Sequence, residues 1–383
     1  MTVTAAAGFL AAGVAAGLKS SGNADLALVV NTGPRAAAAA VFTGNRAKAN
    51  PILWSQQVIA DGIVRAVVLN SGGANCFTGS QGFQTTHATA EAVADALDIS
   101  AGDVLVCSTG LIGDQLDRDK LIAGVHAAAA ALTTDGGPDA SRAIMTTDSV
   151  PKTSVVVRPG WTIGGMAKGA GMLAPGLATM LVVITTDADL DSAQLDAALR
   201  AATGVSFDRL DSDGCMSTND QVTVMASGAS GISPQPGDFS AALTELCADL
   251  ARQLQADAEG ASHDIRIEVV GAASEEDAVE VGRSVARNNL FKAAVFGNDP
   301  NWGRVLASIG TTDAAFDPAD LDVAIYGVWV CRSSTPAEDP ATVDLKPREV
   351  SVTIDLKAGT ERATVWTNDL THAYLHENSA YSS

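Results

Sequence analysis

Apolar positions along the chain recur in two patterns. Short runs rich in Val, Ile and Leu predict strands at Leu26–Val30, Ile63–Asn70, Val104–Cys107, Ser154–Arg158, Met180–Thr186, Val222–Ala226, Ile265–Val270, Val323–Tyr326, Val350–Leu356 and Ala363–Thr367. Longer Ala-rich stretches predict helices at His87–Leu97, Lys120–Leu132, Ser192–Ala202, Asp238–Asp257 and Glu275–Asn289. In the fourth helix Leu243, Leu246, Cys247, Leu250 and Leu254 fall on one face. The fifth opens with Ser274, an N-cap type, with the acid Asp277 in its first turn. Strands and helices interleaved in this way predict an α/β or α+β arrangement, with sheets covered by helices. No Pro/Ser linker, low-complexity tract or fixed-period repeat interrupts the order, so any break in the chain has to come from chemistry at a defined bond.

Composition narrows the function classes. A chain of 383 residues favours two or three domain-sized units. Aromatic residues are only 4% of the total, so the core is built from aliphatic side chains and Ala. A net charge of −20 argues against nucleic acid and anionic membrane as partners, since either repels an acidic surface. The five cysteines show no C-x-x-C spacing, which points away from a zinc site or a disulfide framework and toward reduced thiols in a cytosolic protein. The apolar stretch Ala5–Leu18 resembles the core of a signal peptide. It lacks a preceding Lys or Arg, however, and is broken by Gly8, Gly13 and Gly17. A soluble, cytoplasmic protein is therefore expected.

The stretch from Gly164 to Ala188 carries the chemistry. It reads as a flexible Gly-rich loop, punctuated by Pro175, that feeds an apolar run beginning at Met180. Between the two sits Ala178-Thr179. Most threonines at such a place merely open a strand. Yet a Thr at the head of a buried strand, behind a Gly-rich loop, is also where N-terminal nucleophile enzymes put the attacking hydroxyl. Before cleavage that hydroxyl attacks the preceding carbonyl, and water then hydrolyses the resulting ester. The freed α-amine, which titrates near ~8, can act as the base for the same hydroxyl. Such chemistry suits a chain with only five His residues and no obvious Ser/His/Asp arrangement.

Motifs spread over the whole chain sharpen this reading. They are NSGGAN (Asn70–Asn75), CSTGLIG (Cys107–Gly113), MTTD (Met145–Asp148), KGAGMLAPGLATM (Lys168–Met180), DSDGCMSTND (Asp211–Asp220), QADAEG (Gln255–Gly260), FGNDPNWGR (Phe296–Arg304) and ENSAYSS (Glu377–Ser383). Together they resemble the ornithine acetyltransferase (glutamate N-acetyltransferase) family. The resemblance implies an α/β fold of two layered lobes, N-terminal-nucleophile-like, with the active site between them. It also implies self-cleavage at Ala178–Thr179 into an α chain of residues 1–178 and a β chain of residues 179–383, and assembly as a dimer of such heterodimers. By motif, the nucleophile is Thr179 and the oxyanion hole is Thr109 with Gly110. Substrate contacts fall on Thr146, Lys168, Thr179, Glu259, Asn378 and Ser383.

The implied substrates are N-acetylornithine and glutamate, by ping-pong chemistry, with no metal or organic cofactor. The sequence leaves open whether acetyl-CoA is a second donor. From position alone Lys168 reads as a solvated loop side chain, and Asp299 and Arg304 as partners within a shaped loop. The sequence leaves the roles of Asn219 and Asp220 open, and Tyr374 and Tyr381 read as packing anchors for the C-terminal tail. Two rivals are a self-cleaving aminopeptidase or amidase of the same fold and a non-catalytic small-molecule binding protein.

Overall fold

Alternation along the inner strands of the first sheet feeds two cores at once. The computed structural model describes residues 2–174 and 180–380. In it β1 (Phe9–Val14), β2 (Leu26–Asn31), β4 (Ala66–Asn70) and β5 (Val104–Ser108) pair in the order β1-β2-β4-β5, and only β4 and β5 run parallel. Val29, Leu69 and Leu105 enter one core, while Leu28, Val68 and Val106 enter the other. The two-residue period of a strand dictates this split. Helices Gly79–Leu97 and Arg118–Ala130 close the second core with Val93, Leu121 and Val125.

The first core is shared with a five-stranded sheet. Its order is β3 (Ala37–Phe42), β9 (Gln221–Ala226), β8 (Leu181–Thr186), β7 (Trp161–Lys168) and β6 (Lys152–Arg158). Met166, Leu181, Val183 and Met225 line the shared side. On the other side the helix Pro236–Ala256 brings Leu246 and Leu250 against Gly165, and Phe239 against Trp161. With both faces covered, β2, β8 and β9 are buried along their whole length.

These two sheets belong to a compact unit made of Met1–Ala170, Gly176–Asp208 and Met216–Leu254. The second unit comprises Gly171–Pro175, Arg209–Cys215 and Gln255–Ser383. Its sheet runs β13 (Thr335–Pro336), β12 (Val328–Arg332), β11 (Asp322–Ile325), β14 (Glu349–Asp355), β10 (Asp264–Ala272) and β15 (Glu361–Asn368). Helix Glu275–Ala286 covers one face, and Gly282 lets it approach Val269 and Val365. Its N-cap is the expected one: the Asp277 amide donates to the Ser274 hydroxyl at 3.1 Å.

The predicted strands and helices are all present, with shifted ends, and the differences have physical causes. The signal-peptide-like stretch contains β1, which pairs with β2 from Phe9↔Asn31 to Val14↔Leu26. β3 is nearly all Ala and was not predicted, because pairing with β9 overrides a weak strand propensity. The head of the supposed flexible loop is β7. Gly164 and Gly165 stand in it because a Cβ there would lie 2.2 Å from the Thr2 carbonyl oxygen and 3.0 Å from Leu246 respectively. The helix predicted to reach Asn289 ends at Ala286, and a new helix, Asn289–Phe296, starts on the Asn288 cap. Nor do Asp299 and Arg304 pair. Asp299 accepts from the Asn301 side chain at 3.0 Å, whereas Arg304 donates to the Leu290 carbonyl and begins a helix, Trp302–Ile309.

The unit boundaries differ from the expected cleavage point, and the five-stranded sheet spans that point. It takes β3, β6 and β7 from before Ala178 and β8 and β9 from after Thr179. A cut there should therefore leave the pieces in one particle, held by the β7–β8 and β3–β9 ladders. Size-exclusion chromatography should give a single peak containing both fragments, which separate only in denaturant. Fragments that elute apart in native buffer would contradict this.

Candidate active site

Thr109 and Gly110 leave the end of β5, and two glycine backbones cross there. Gly110 has φ +132°, and a Cβ on it would lie 2.8 Å from both the N and the Cα of Gly73. No other residue type permits that approach at that backbone angle. The crossing is pinned on each side. The Thr109 amide donates to the Asn70 carbonyl at 3.0 Å, and the Asn219 side chain donates to the Ala74 and Ser108 carbonyls at 2.6 and 2.8 Å. Asn219 thus ties the NSGGAN turn to the STG turn, a role the sequence left open.

Lys168 ends β7 and is buried, in contrast to the solvated loop residue expected from its position. Its ammonium donates to the Thr109 hydroxyl oxygen at 3.2 Å. A hydroxyl that already accepts from a cation still has its own proton to give, and the cation polarises that O–H.

Asp148 stands beside this pair. It accepts from Lys152 Nζ at 2.6 Å, from the Gly169 amide at 2.6 Å and from the Thr146 amide at 2.9 Å. Burial by itself would raise its pKa, but the charges of Lys168 and Lys152, with the Lys152 and Thr146 hydrogen bonds, outweigh burial and bring it down to about 2. Asp148 therefore holds half-buried Thr146 and the end of β7 to one carboxylate. Lys19, whose pKa burial lowers, approaches the same motif by donating to the Met145 carbonyl at 2.7 Å.

Ala178, Thr179 and Ser383 lie outside the described residues. Met180, which follows Thr179 in the chain, is held on both its backbone groups. Its amide donates to Asp220 Oδ1 at 3.0 Å, and its carbonyl accepts from the Gln221 amide at 3.2 Å. One residue on, Leu181 pairs directly with Lys168 across the β7–β8 ladder.

In the second unit, Glu259 sits on the turn after the helix Pro236–Ala256 and accepts from Asn378 Nδ2 at 3.0 Å. A Cβ on Gly171 would lie 2.6 Å from both Glu259 carboxylate oxygens, so that carboxylate rests on bare backbone. Asn378 belongs to a helix, His372–Ala380, rather than to a frayed tail. The anchor of that helix is mostly backbone: the Thr371 hydroxyl donates to the Gly260 carbonyl at 2.6 Å and accepts from the Tyr374 amide at 2.9 Å. Gly260, at φ +61°, leaves room for the Tyr374 amide, which a Cβ would meet at 2.2 Å. Tyr381 is outside the described residues. Among the described residues no group of His, Cys, Asp and Glu is arranged to hold a metal ion, and no helix is long and apolar enough to cross a membrane.

The model of the ArgJ family matches residues 10–383. The chain is 66% identical to the arginine biosynthesis bifunctional protein ArgJ of Streptomyces avermitilis, and 65% identical to that of Streptomyces coelicolor. Each alignment covers 100% of both chains. The chain belongs to the ArgJ family. It is an acyltransferase of arginine biosynthesis, as the resemblance in its motifs implied. Two solved structures are similar in sequence over shorter spans. One is the ornithine acetyltransferase of Mycobacterium tuberculosis in complex with ornithine, with 57% identity, 47% of this chain, 96% of that chain and a TM-score of 0.45. The other is the ArgJ protein of Bacillus halodurans, with 36% identity, 51% of this chain, 97% of that chain and a TM-score of 0.49.

In this ArgJ chain the motif reading picked out Thr146 but passed over Asp148 two residues later, the carboxylate that orders it. The one available signal was Lys152 four residues on, and spacing in a loop does not reveal an ion pair. Asp148 yields a stability prediction. Its folded pKa lies below the unfolded value of 3.8, so its contribution is complete above that value and is lost as pH falls toward 2. That contribution is about 2 kcal/mol. Asp148→Asn should cost about 3 kcal/mol at pH 7, because Lys152 is left buried with a weaker partner. The deficit, read from urea denaturation, should shrink on acidification below pH 4. A deficit that is constant down to pH 2 would show that Asp148 does not act through its charge.

Proposed function

We propose that this chain transfers the acetyl group of N2-acetyl-L-ornithine to L-glutamate through an acetyl ester on Thr179, after the chain has cut itself between Ala178 and Thr179. The observation that carries the reading is the Lys168–Thr109 hydrogen bond at a fixed crossing of glycine backbones. It leaves the Thr109 proton and the Gly110 amide as donors for a tetrahedral oxyanion. Full-length identity to arginine biosynthesis bifunctional proteins supports the choice of substrates.

In self-cleavage, the Thr179 hydroxyl adds to the Ala178 carbonyl carbon, the C–N bond breaks, and the hydroxyl proton ends on the new α-amine. Water then hydrolyses the ester, returning the Thr179 hydroxyl and leaving Ala178 with a carboxyl group. In transfer, the α-amine takes the hydroxyl proton as Thr179 attacks the acetyl carbonyl, with Thr109 and Gly110 on the oxyanion. Ornithine leaves with that proton on its α-amine. Glutamate's amine reverses the sequence and carries the acetyl group away. Thr146, Lys168, Glu259, Asn378 and Ser383 are the proposed substrate contacts, with Glu259 the carboxylate for a substrate amine. The cut pieces assemble in the cytoplasm as a dimer of α/β heterodimers. Acetyl-CoA-dependent acetylation of glutamate is the assay that assigns or withholds a second donor.

Mass spectrometry should show two fragments whose masses sum to 38.8 kDa plus one water, the second beginning at Thr179. Thr179→Ala should stay whole and inactive. Brief incubation with N-acetylornithine should acetylate only the fragment that starts at Thr179, and Thr109→Val should slow transfer roughly 10²–10³-fold. A Thr179→Ala chain cut at the same bond, or acetyl-ornithine hydrolysed at the same rate with and without glutamate and never transferred, would sink the reading. The tail gives a separate test. Asn378→Ala should leave self-cleavage intact and raise KM for the substrates with little change in kcat. Unchanged KM values would remove Asn378 from the site.

A further inference from the structure

Asp220 is the least expected buried group in the first unit. It is fully buried, at the end of the DSDGCMSTND motif and directly before β9. Its backbone carbonyl accepts from the Thr43 amide at 3.0 Å, which fixes the residue in place. One carboxyl oxygen, Oδ1, accepts from the Met180 amide at 3.0 Å. The other, Oδ2, makes no hydrogen bond among the described residues. A carboxylate in that setting is a buried charge with few hydrogen bonds to hold it, which is costly, whereas a protonated carboxyl avoids the charge and keeps the Oδ1 bond. The electrostatics agree. Burial drives the pKa well above the ordinary carboxylate range, and the Ser217 hydroxyl, the Met180 amide and the charge of Lys168 pull it down without offsetting burial, while Asp208 pushes it further up.

The Met180 amide belongs to the peptide group that joins Thr179 to Met180. Asp220 therefore acts on the peptide group that Thr179 shares with Met180. Together with the Gln221 amide on the Met180 carbonyl, Asp220 makes the start of β8 a fixed mount.

We propose that Asp220 is the positioning residue of self-cleavage, working as a neutral carboxylic acid that holds the Met180 amide and so presents Thr179 to the preceding carbonyl. The proposal rests on the assignment of Thr179 as the self-cleaving nucleophile. Asp220 itself exchanges no proton or bond in the step.

The test is the rate of self-cleavage in freshly translated full-length chain, followed by gel and mass spectrometry from pH 6 to 10. It compares wild type with Asp220→Asn, Asp220→Ala and Thr179→Ala, with thermal melts of each. Asp220→Asn keeps a neutral acceptor for the Met180 amide and should cut at close to the wild-type rate at neutral pH. As pH rises and the carboxyl ionises, the wild type should slow, because a buried charge whose Oδ2 has no partner strains the mount, while Asp220→Asn holds its rate. The ammonium of Lys168 and the carboxylate of Asp208, which also act on this site, are common to both proteins, so the difference between the two profiles reports Asp220. Asp220→Ala should cut roughly 10²-fold more slowly, the scale of loss expected from a misplaced nucleophile. If Asp220→Ala fails to fold, the comparison of wild type with Asp220→Asn decides alone. Equal pH profiles for those two, or an Asp220→Asn chain that melts like wild type yet barely cuts, would overturn the proposal. A wild-type chain that is never cut before Thr179 would instead overturn the nucleophile assignment, independently of Asp220.

Discussion

The ladder between β7 and β8 is the constraint on which the rest of the site depends. Its register sets Lys168 opposite Leu181, with antiparallel pairing running back to Ile163 and Thr186. Those backbone hydrogen bonds, together with the parallel β8–β9 pairs, position everything that follows Thr179 without relying on the peptide bond before it. The proposed self-cleavage needs this property. Were the bond between residues 178 and 179 cut as proposed, only noncovalent pairing would keep the new terminus in place, and a buried central strand supplies more of it than a surface segment would.

The second constraint is electrostatic. Lys168, Lys152 and Asp148 are all buried, although the protein as a whole is strongly acidic. Burying one carboxylate against two ammonium groups is tolerable only when the remaining acceptor positions are filled, which the Thr146 and Gly169 amides do. The Lys168 ammonium stands next to the Thr109 hydroxyl, in a place poorly screened by water. Such fixed charge, aimed where negative charge develops, stabilises a transition state more than a mobile surface cation does.

Glycine is what makes these approaches possible. Gly110 crosses Gly73, Gly171 underlies the Glu259 carboxylate, and Gly260 admits the amide of Tyr374. Two of these bring backbone against backbone and one brings backbone against a carboxylate, and each would be blocked by a single methyl.

Much of the fold was legible in the sequence. Runs of Val, Ile and Leu marked strands such as Leu26–Asn31 and Val104–Ser108, since hydrophobic periodicity is a local property that survives folding. Motif spacing likewise named the family and placed Thr109, Gly110 and Glu259 at the ends of elements. Strands without apolar bulk were not legible: Ala37–Phe42 and Trp161–Lys168 are strands because their partners across the sheet are, and their Ala and Gly content is set by close neighbours. The environments of Lys168, Asp148 and Asp220 were equally hidden. A charged side chain looks alike in a sequence whether water or protein surrounds it, and burial is decided by residues 59, 21 and 40 positions away along the chain. The sequence by itself determined which elements form and which residue types the chemistry requires. Only the tertiary structure decided which charges are buried and what they touch, because desolvation and hydrogen bonding depend on neighbours that chain order does not reveal.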